Sequence, residues 1–542
     1  MVSEPVQSRD ACAREWWREA VVYNIYPRSW RDANGDGHGD LRGIIERLDY
    51  LEWLGVDAVW LNPIMPSPNR DWGYDIADYT AVHPDFGTMD DLDELVEAAG
   101  RRRILLVLDL VPSHTSDEHP WFRAARSDRH SPYREYYVWQ APGIDGAPPN
   151  NWTSYFGAPA WTLDEKSGEY YLHSFLPEQP KLNWWSPRVA EEFERVLRFW
   201  FDRGVGGMRI DALQTLVHNP ELTPNPPASD RDTPLERRLG QRFLHSGGQP
   251  ETHHFVRQWR RAADAYEPPR LLFGETWVAS VDDLSPYYGD GHDALGLAWN
   301  LPFLSSDFAA ESLRAVVERT MSALPSEAWP AWAMSTHDGE GRAASRWCQG
   351  DLASARCALL LLLTLRGTPI LYYGDEIGMI DATSPPASDR RDTAETAASR
   401  DRSRAPMRWE PGPAAGFTSS ARPWLPAPPA GVPTVAEQRA DRGSLLWFCR
   451  DLITLRRRHP ELMAGSMRIV PAPEGVLAWE RRDSGRGGFV VAINLGDAPA
   501  VIGLGPVTES QVLLGTDRRR DGQTLAGDTS LGPSEGLLIR TV

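Results

Sequence analysis

Three acids in this chain stand directly behind short apolar runs, far apart in sequence. GVGGMRIDA places Asp211 after a strand-like segment, RLLFGETW does the same for Glu275, and WAMSTHD ends in His337 and Asp338. Carboxylates that close successive strands at such distances have few ways to meet. A (β/α)₈ barrel gathers them at the carboxyl-terminal rim of its strands. The chain's first part has the matching rhythm. Strand-like VVYNIYP, VDAVWL and ILLVLDL alternate over residues 20–112 with helical LRGIIERLDYLEWLG and MDDLDELVEAAGRR, the pattern of βα units around a parallel sheet.

The expected fold is therefore α/β, a (β/α)₈ TIM barrel carrying two additions. Residues 1–112 form its first part, and 113–183, aromatic and irregular (PPNNWTSYFGAPAWT), read as a lid domain inserted after strand 3. The barrel resumes over 184–465 with the helix VAEEFERVLRFWFDRG and the strands GGMRI, LLFGE, AWAMST and PILYYGDE. A polar, Pro- and Arg-rich stretch at 380–440 reads as a long loop after strand 8. The last segment, 466–542, alternates apolar and polar residues between turns and is expected to be an all-β sandwich.

Composition removes several classes of partner. A net charge of −18 argues against nucleic acid and anionic membranes, which both call for a basic patch. CALLLLLTL is apolar only over 357–365, and a span needs roughly 20 residues, so it reads as a buried barrel helix. The N-terminal MVSEPVQSRDACAREWWREA lacks a signal-peptide core. Cys12, Cys348, Cys357 and Cys449 have no metal-like spacing and read as free thiols of a reducing cytoplasm. The 23 Trp are unusually many; bulky aromatics fill cores, and their flat faces also stack on sugar rings.

Two or three acids in one pocket suit the cleavage of an acetal. One protonates the leaving oxygen and another faces the forming oxocarbenium ion or attacks it. Arg209 lies two residues before Asp211, on the same face of a strand, where its guanidinium can hold Asp211 ionised. Gly274 and Trp277 beside Glu275 suggest an apolar wall that raises its pKa toward that of a general acid.

These blocks, in this order, resemble glycoside hydrolase family 13, the α-amylase family, and within it the α-glucosidase, oligo-1,6-glucosidase and trehalose synthase branch. DLVPSH (109–114), GMRIDA, GETW and THD resemble the family's four regions, and GYDIADY, QPKLNWW and GTPILYYGDEIGM extend the likeness. The resemblance implies Asp211 as nucleophile, Glu275 as acid/base and Asp338 as stabiliser of the distorted ring. It implies Tyr74, Asp75, His114, Arg209 and His337 around the first glucose, and Arg342 on the acceptor side. DANGDGHGD offers oxygens at Asp32, Asn34, Asp36, the His38 carbonyl and Asp40. Its twelfth position is Gly43 rather than the glutamate of an EF-hand, and the resemblance implies instead a structural calcium loop, with magnesium as the other occupant.

The chain departs from the family in places. STHDGEGR has Thr336 for an asparagine and one extra residue before Arg342, QPKLN has Lys181 for an aspartate, and SGGQPET (246–252) has glycine for an acid. Ala212 follows the nucleophile, where a small residue accompanies α-1,4 rather than α-1,6 cleavage. The expected activity is a retaining, exo-acting α-glucosidase on small α-glucosides. A transferring or isomerising enzyme such as a trehalose synthase is the first alternative, and a non-catalytic binding relative the second.

Overall fold

The computed structural model describes residues 15–384, 390–391, 400–427, 431–483, 487–504 and 510–541. Cys12, and residues 385–389 and 392–399 of the long loop, lie outside the described residues. The chain opens with β1 (Val22–Ile25), β2 (Ala58–Leu61) and β3 (Leu105–Leu110). The insert follows, with β4 (Trp139–Gln140), β5 (Trp161–Asp164) and β6 (Glu169–Leu172) in a small antiparallel sheet of order β4-β6-β5. The barrel resumes with β7 (Gly207–Ile210), β8 (Leu271–Gly274), β9 (Leu297–Ala298), β10 (Ala331–Ala333) and β11 (Thr368–Tyr372). Eight strands run in the order β10-β11-β1-β2-β3-β7-β8-β9, a parallel sheet nearly closed on itself with β9 and β10 at the seam.

The pleat explains where the acids go. Alternate residues face the barrel axis, and the lower layers are apolar. Val22, Ala58, Val107, Leu271 and Ile370 are buried there, with Trp60, Phe273, Trp299 and Ala333 above them. Following the same parity upward leads to Asp109, Arg209, Asp211 and Glu275. Gly207 is required by this packing, since a Cβ there would stand 2.6 Å from the Cβ of Leu271.

Amphipathic helices cover the outside. Met89–Arg101 begins on a capping box in which Thr88 and Asp91 satisfy each other's backbone N–H, and it buries Leu92, Leu95, Ala98 and Ala99. Pro187–Asp202 buries Val189, Phe193, Val196, Leu197 and Trp200 at helical spacing. Leu352–Thr364 is apolar on every face from Cys357 to Leu363 because that part is fully covered, packed between β11, the helix Leu445–Arg458 and the C-terminal sheet.

The C-terminal segment contains β12 (Ser466–Ile469), β13 (Val476–Arg482), β14 (Gly488–Asn494), β15 (Ala500–Ile502), β16 (Ser510–Gly515), β17 (Thr524–Leu525), β18 (Thr529–Leu531) and β19 (Glu535–Thr541). Six strands form one sheet, β12-β13-β14-β19-β16-β17, and β15 pairs with β18 across its outer face. Val476, Ala478, Val490 and Ile539 pack on Ile502 and Leu531, while Leu477, Trp479, Val491 and Leu538 join the main core. Among the described residues no helix is long and apolar enough to cross a membrane.

Candidate active site

The barrel rim, the insert and the segments after β7 and β11 enclose a cavity of about 370 Å³. Asp211, Glu275 and Asp338 all line it, as do Tyr74 and His114. The strand ends therefore bring together the three acids that sequence spacing singled out.

Arg209 is the hinge of the arrangement. It is 1% exposed; its Nη1 lies 2.6 Å from Asp211 Oδ1 and 3.2 Å from Asp109 Oδ2, and its Nη2 lies 2.6 Å from Glu275 Oε1. The ring of Trp60 lies under the guanidinium, 5.1 Å away. One fork thus spans both carboxyls. The backbone N–H of Ala212 donates to Glu275 Oε2 at 2.8 Å. Glu275 accordingly sits against a guanidinium and an amide, not the apolar wall that Gly274 and Trp277 suggest in sequence. Trp277 lines the cavity, and its backbone N–H donates to Gln214. The expectation that Arg209 alone keeps Asp211 ionised also needs correction. Burial drives the Asp211 carboxyl well above its usual range, the neighbouring Glu275 charge adds to this, and Arg209 only opposes it.

Asp338 has the opposite fate. Burial pushes its carboxyl up, but His337 and the guanidinium groups of Arg404 and Arg400 outweigh it and bring it to about 2. Arg404 Nη2 lies 3.4 Å and Arg400 Nη1 3.9 Å from Asp338 Oδ1. His337 is pushed down to about 3, chiefly by burial. The Tyr74 ring stacks on it, with centroids 5.7 Å apart and planes 3° apart, and the Tyr74 hydroxyl meets His337 Nε2 at 2.6 Å. That hydroxyl also donates to Asp109 Oδ2 at 2.9 Å. Burial likewise brings His114 down to about 4; its Nε2 lies 2.9 Å from the Tyr74 carbonyl and 3.0 Å from Gln179 Nε2.

Of the six expected sugar contacts only Tyr74 and His114 line the cavity; Arg209 and His337 are buried against its acids, and Asp75 and Arg342 are engaged elsewhere. Asp75 is fully buried, accepting from Ser67 Oγ at 2.6 Å and from the backbone N–H groups of Arg70 and Asp71 at 2.9 and 3.0 Å. It closes the turn, and burial pushes its carboxyl up to about 6. Asp71, four residues earlier, is the acid at the pocket, paired with Arg400 Nη2 at 2.6 Å and accepting from Gln179 at 3.0 Å. Arg342 is also fully buried. Its guanidinium donates to the carbonyls of Tyr373 and of Ser403, the latter at 2.9 Å, and packs over the rings of Tyr372 and Tyr373. The extra residue in STHDGEGR turns Glu340 toward the cavity instead.

Sequence reasoning also missed Arg400 and Arg404, which the long loop folds back over the rim, and Gln179 two residues before Lys181. An Arg-rich run between a barrel strand and a helix was the available signal. Phe156, Phe175 and Leu235 complete the apolar walls.

The Asp32–Asp40 loop lies apart from this cavity and is closed by its own hydrogen bonds. Asp32 accepts from the N–H groups of Gly35 and Gly37 at 2.7 and 2.8 Å and from Thr418 Oγ1. Asp40 accepts from Ala33, Asn34 and Gly43 N–H at 3.1, 3.4 and 2.6 Å. Asn34 and Asp36 accept from the N–H groups of Asp36 and His38, both at the surface end of the loop, and the His38 ring faces Arg28. Among the described residues no three acidic, histidine or cysteine side chains converge as a metal's donor set.

A barrel whose rim carries three acids around one guanidinium defines a glycoside-cleaving class of site. Comparison with known proteins gives the particular family. Residues 24–465 match the model for the alpha amylase catalytic domain. A probable alpha-glucosidase of Rhizobium meliloti (strain 1021) is 38% identical over 491 residues, covering 86% of this chain and 87% of its own. The oligo-1,6-glucosidase of Parageobacillus thermoglucosidasius is 35% identical over 532 residues, 91% of this chain and 92% of its own. The solved structure of the alpha-glucosyl transfer enzyme XgtA superposes with a TM-score of 0.90 at 36% identity, covering 97% of this chain and 99% of that one. The chain belongs to the α-amylase family, glycoside hydrolase family 13.

Proposed function

We propose that the protein is a retaining α-glucosidase that removes the terminal glucose from short α-glucosides, preferring α-1,4 links. The observation that carries this reading is the single Arg209 fork that reaches both Asp211 and Glu275. A pair of carboxyls bridged so closely suits direct attack by one of them. The wider spacing of inverting pairs, roughly 6.5–9.5 Å, leaves room for a water.

Each step has its residue. Glu275 gives its proton to the glycosidic oxygen as the bond to the anomeric carbon breaks, and Asp211 attacks that carbon from the opposite face. The resulting glucosyl ester is opened by water, whose proton returns to Glu275, and glucose leaves with its original α configuration. Asp338, held ionised by Arg400 and Arg404, grips hydroxyls of the distorted ring, and Asp71, His114 and Tyr74 define the end of a pocket that accepts one terminal glucose.

Transfer to a sugar acceptor, including isomerisation of the trehalose synthase kind, is the second reading. The apolar walls of Phe156, Leu235 and Trp277 favour it, because they make the acceptor side poor in water. Product analysis separates the two. Hydrolysis of concentrated maltose yields glucose alone, transfer yields longer oligosaccharides, and isomerisation yields trehalose. A purely binding role is set aside because all three acids face the cavity. The three described cysteines are buried and free, which supports a cytoplasmic setting.

A calcium ion, or magnesium in its place, in the Asp32–Asp40 loop is a separate proposal. The alternation of oxygen donors in the sequence supports it, and their present pairing with backbone N–H groups opposes it. Excess chelator then lowers Tm and calcium restores it; an unchanged Tm leaves only the hydrogen-bonded turn.

A further inference from the structure

Lys181 is fully buried among neutral groups. Its Nζ donates to the carbonyl of Thr215 and, at 3.3 Å, to that of Leu216. Among the described residues no carboxylate lies within ion-pair distance of it. These two carbonyls are the unsatisfied acceptors at the end of the short 3₁₀ turn Leu213–Thr215, where a positive charge is favoured. The turn is the one that follows the proposed nucleophile. The residue that caps its start, Ala212, has φ +42° and ψ +45°, a left-handed conformation that costs a non-glycine residue free energy unless the surroundings impose it.

Three contacts impose it. The Ala212 N–H is spent on Glu275 Oε2, the Ala212 carbonyl accepts from Thr215 N at 2.9 Å and Oγ1 at 2.8 Å, and Lys181 grips the far end. The backbone of Lys181 is anchored in turn to the substrate side. It bridges His114 in antiparallel fashion, with Leu182 N donating to the Ser113 carbonyl at 3.0 Å and Thr115 N to the Pro180 carbonyl at 3.2 Å. Two residues away, Gln179 bonds Asp71 and His114.

We propose that Lys181 is a positioning residue: its ammonium clamps the strained Ala212–Leu216 turn to the insert, and so keeps the Ala212 N–H aimed at Glu275 and Asp211 in register with His114 and Asp71. The proposal rests on Glu275 and Asp211 being the acid/base and the nucleophile. Burial lowers Lys181 from its usual range to about 7, so near neutral pH the charged form costs stability. The titratable groups facing it are His218 on the segment it grips and His114 on the segment it pairs with, both kept neutral by burial.

The test compares Lys181→Met and Lys181→Arg with the wild type, using an aryl α-glucoside and thermal melting. Lys181→Met is expected to lose about 10- to 100-fold in kcat, the scale of a small misplacement of reacting groups, with KM changed less than about threefold and Tm unchanged or raised. Lys181→Arg is expected to recover part of kcat and to move the alkaline limb of the pH profile upward, because a guanidinium keeps its charge. A kcat within twofold of wild type, or parallel falls in kcat and Tm that Lys181→Arg does not relieve, overturns the proposal. Should Lys181→Met not accumulate, the wild type decides. An alkaline limb that moves strongly to lower pH on warming, as an amine's does, supports Lys181, and one that stays put as a carboxyl's does contradicts it. Wild-type protein without α-glucosidase activity would instead defeat the underlying functional reading.

Discussion

At the scale of single residues, backbone conformation changes what the sequence implies. Ala212 invites a linkage argument from side-chain size alone, yet its φ of +42° makes the position hostile to a β-branched residue. Ala212→Val is therefore expected to lower kcat/KM for maltose and isomaltose together, by about tenfold or more, because it also disturbs the amide that holds Glu275. Measuring both substrates checks this; a simple exchange of preference at full turnover would show that the turn tolerates valine and that size rules. Arg404 offers a pH test. Asp338 lies at about 2, below its usual range, with Arg404 among the causes. A depressed carboxyl stays ionised as pH falls until its own low pKa, so removing the cation must raise that pKa. Arg404→Ala should move the acid limb of kcat/KM to higher pH and cost activity chiefly near about pH 4. Residues whose place follows from a strand position (Arg209, Asp211, Glu275) could be located from the sequence. Asp71 and Asp75 were not distinguishable, because both are acids of one turn and only its three-dimensional closure shows which one it consumes. Arg342 was misread for a similar reason, since one added residue reverses where the following side chain points.

At the scale of elements, periodicity carried most of the barrel. Strands with two buried faces read as apolar runs, and the helices between them bury residues at three- and four-residue spacing. β9 was invisible because it has only two residues, Leu297 and Ala298, and pairs with β8 alone. The polar run after β11 could be seen as a loop but not as the source of Arg400 and Arg404, since irregular chain has no period to fix its direction. β7 supplies the element-level test. Gly207→Ala would place a methyl 2.6 Å from both the Cβ and the carbonyl oxygen of Leu271. The β7–β8 pair would have to part beneath Arg209, at a cost of about 1–3 kcal/mol typical of overpacking. Urea unfolding should show that loss together with reduced activity, whereas a neutral outcome would mean the interior has slack there.

At the scale of the whole molecule, the C-terminal sheet is part of the core rather than an appendage. Leu360 of the buried helix Leu352–Thr364 packs against β19, and a Cβ on Gly536 would meet it at 2.7 Å. A chain ending at residue 465 exposes that helix and is expected to be recovered insoluble, as large apolar patches dictate; soluble, active truncated protein would show the sheet to be dispensable. Alternating apolar residues announced this domain in the sequence, but which of its faces meets the barrel depended on tertiary packing. The chemistry itself is tested most directly by trapping the covalent intermediate. Wild-type protein treated with a fluorinated α-glucoside that forms the ester but hydrolyses slowly, then digested and mapped by mass spectrometry, should carry one glucosyl unit on Asp211. A label on any other residue, or no label while hydrolysis proceeds with inversion at the anomeric carbon, would contradict the assignment of Asp211 as nucleophile.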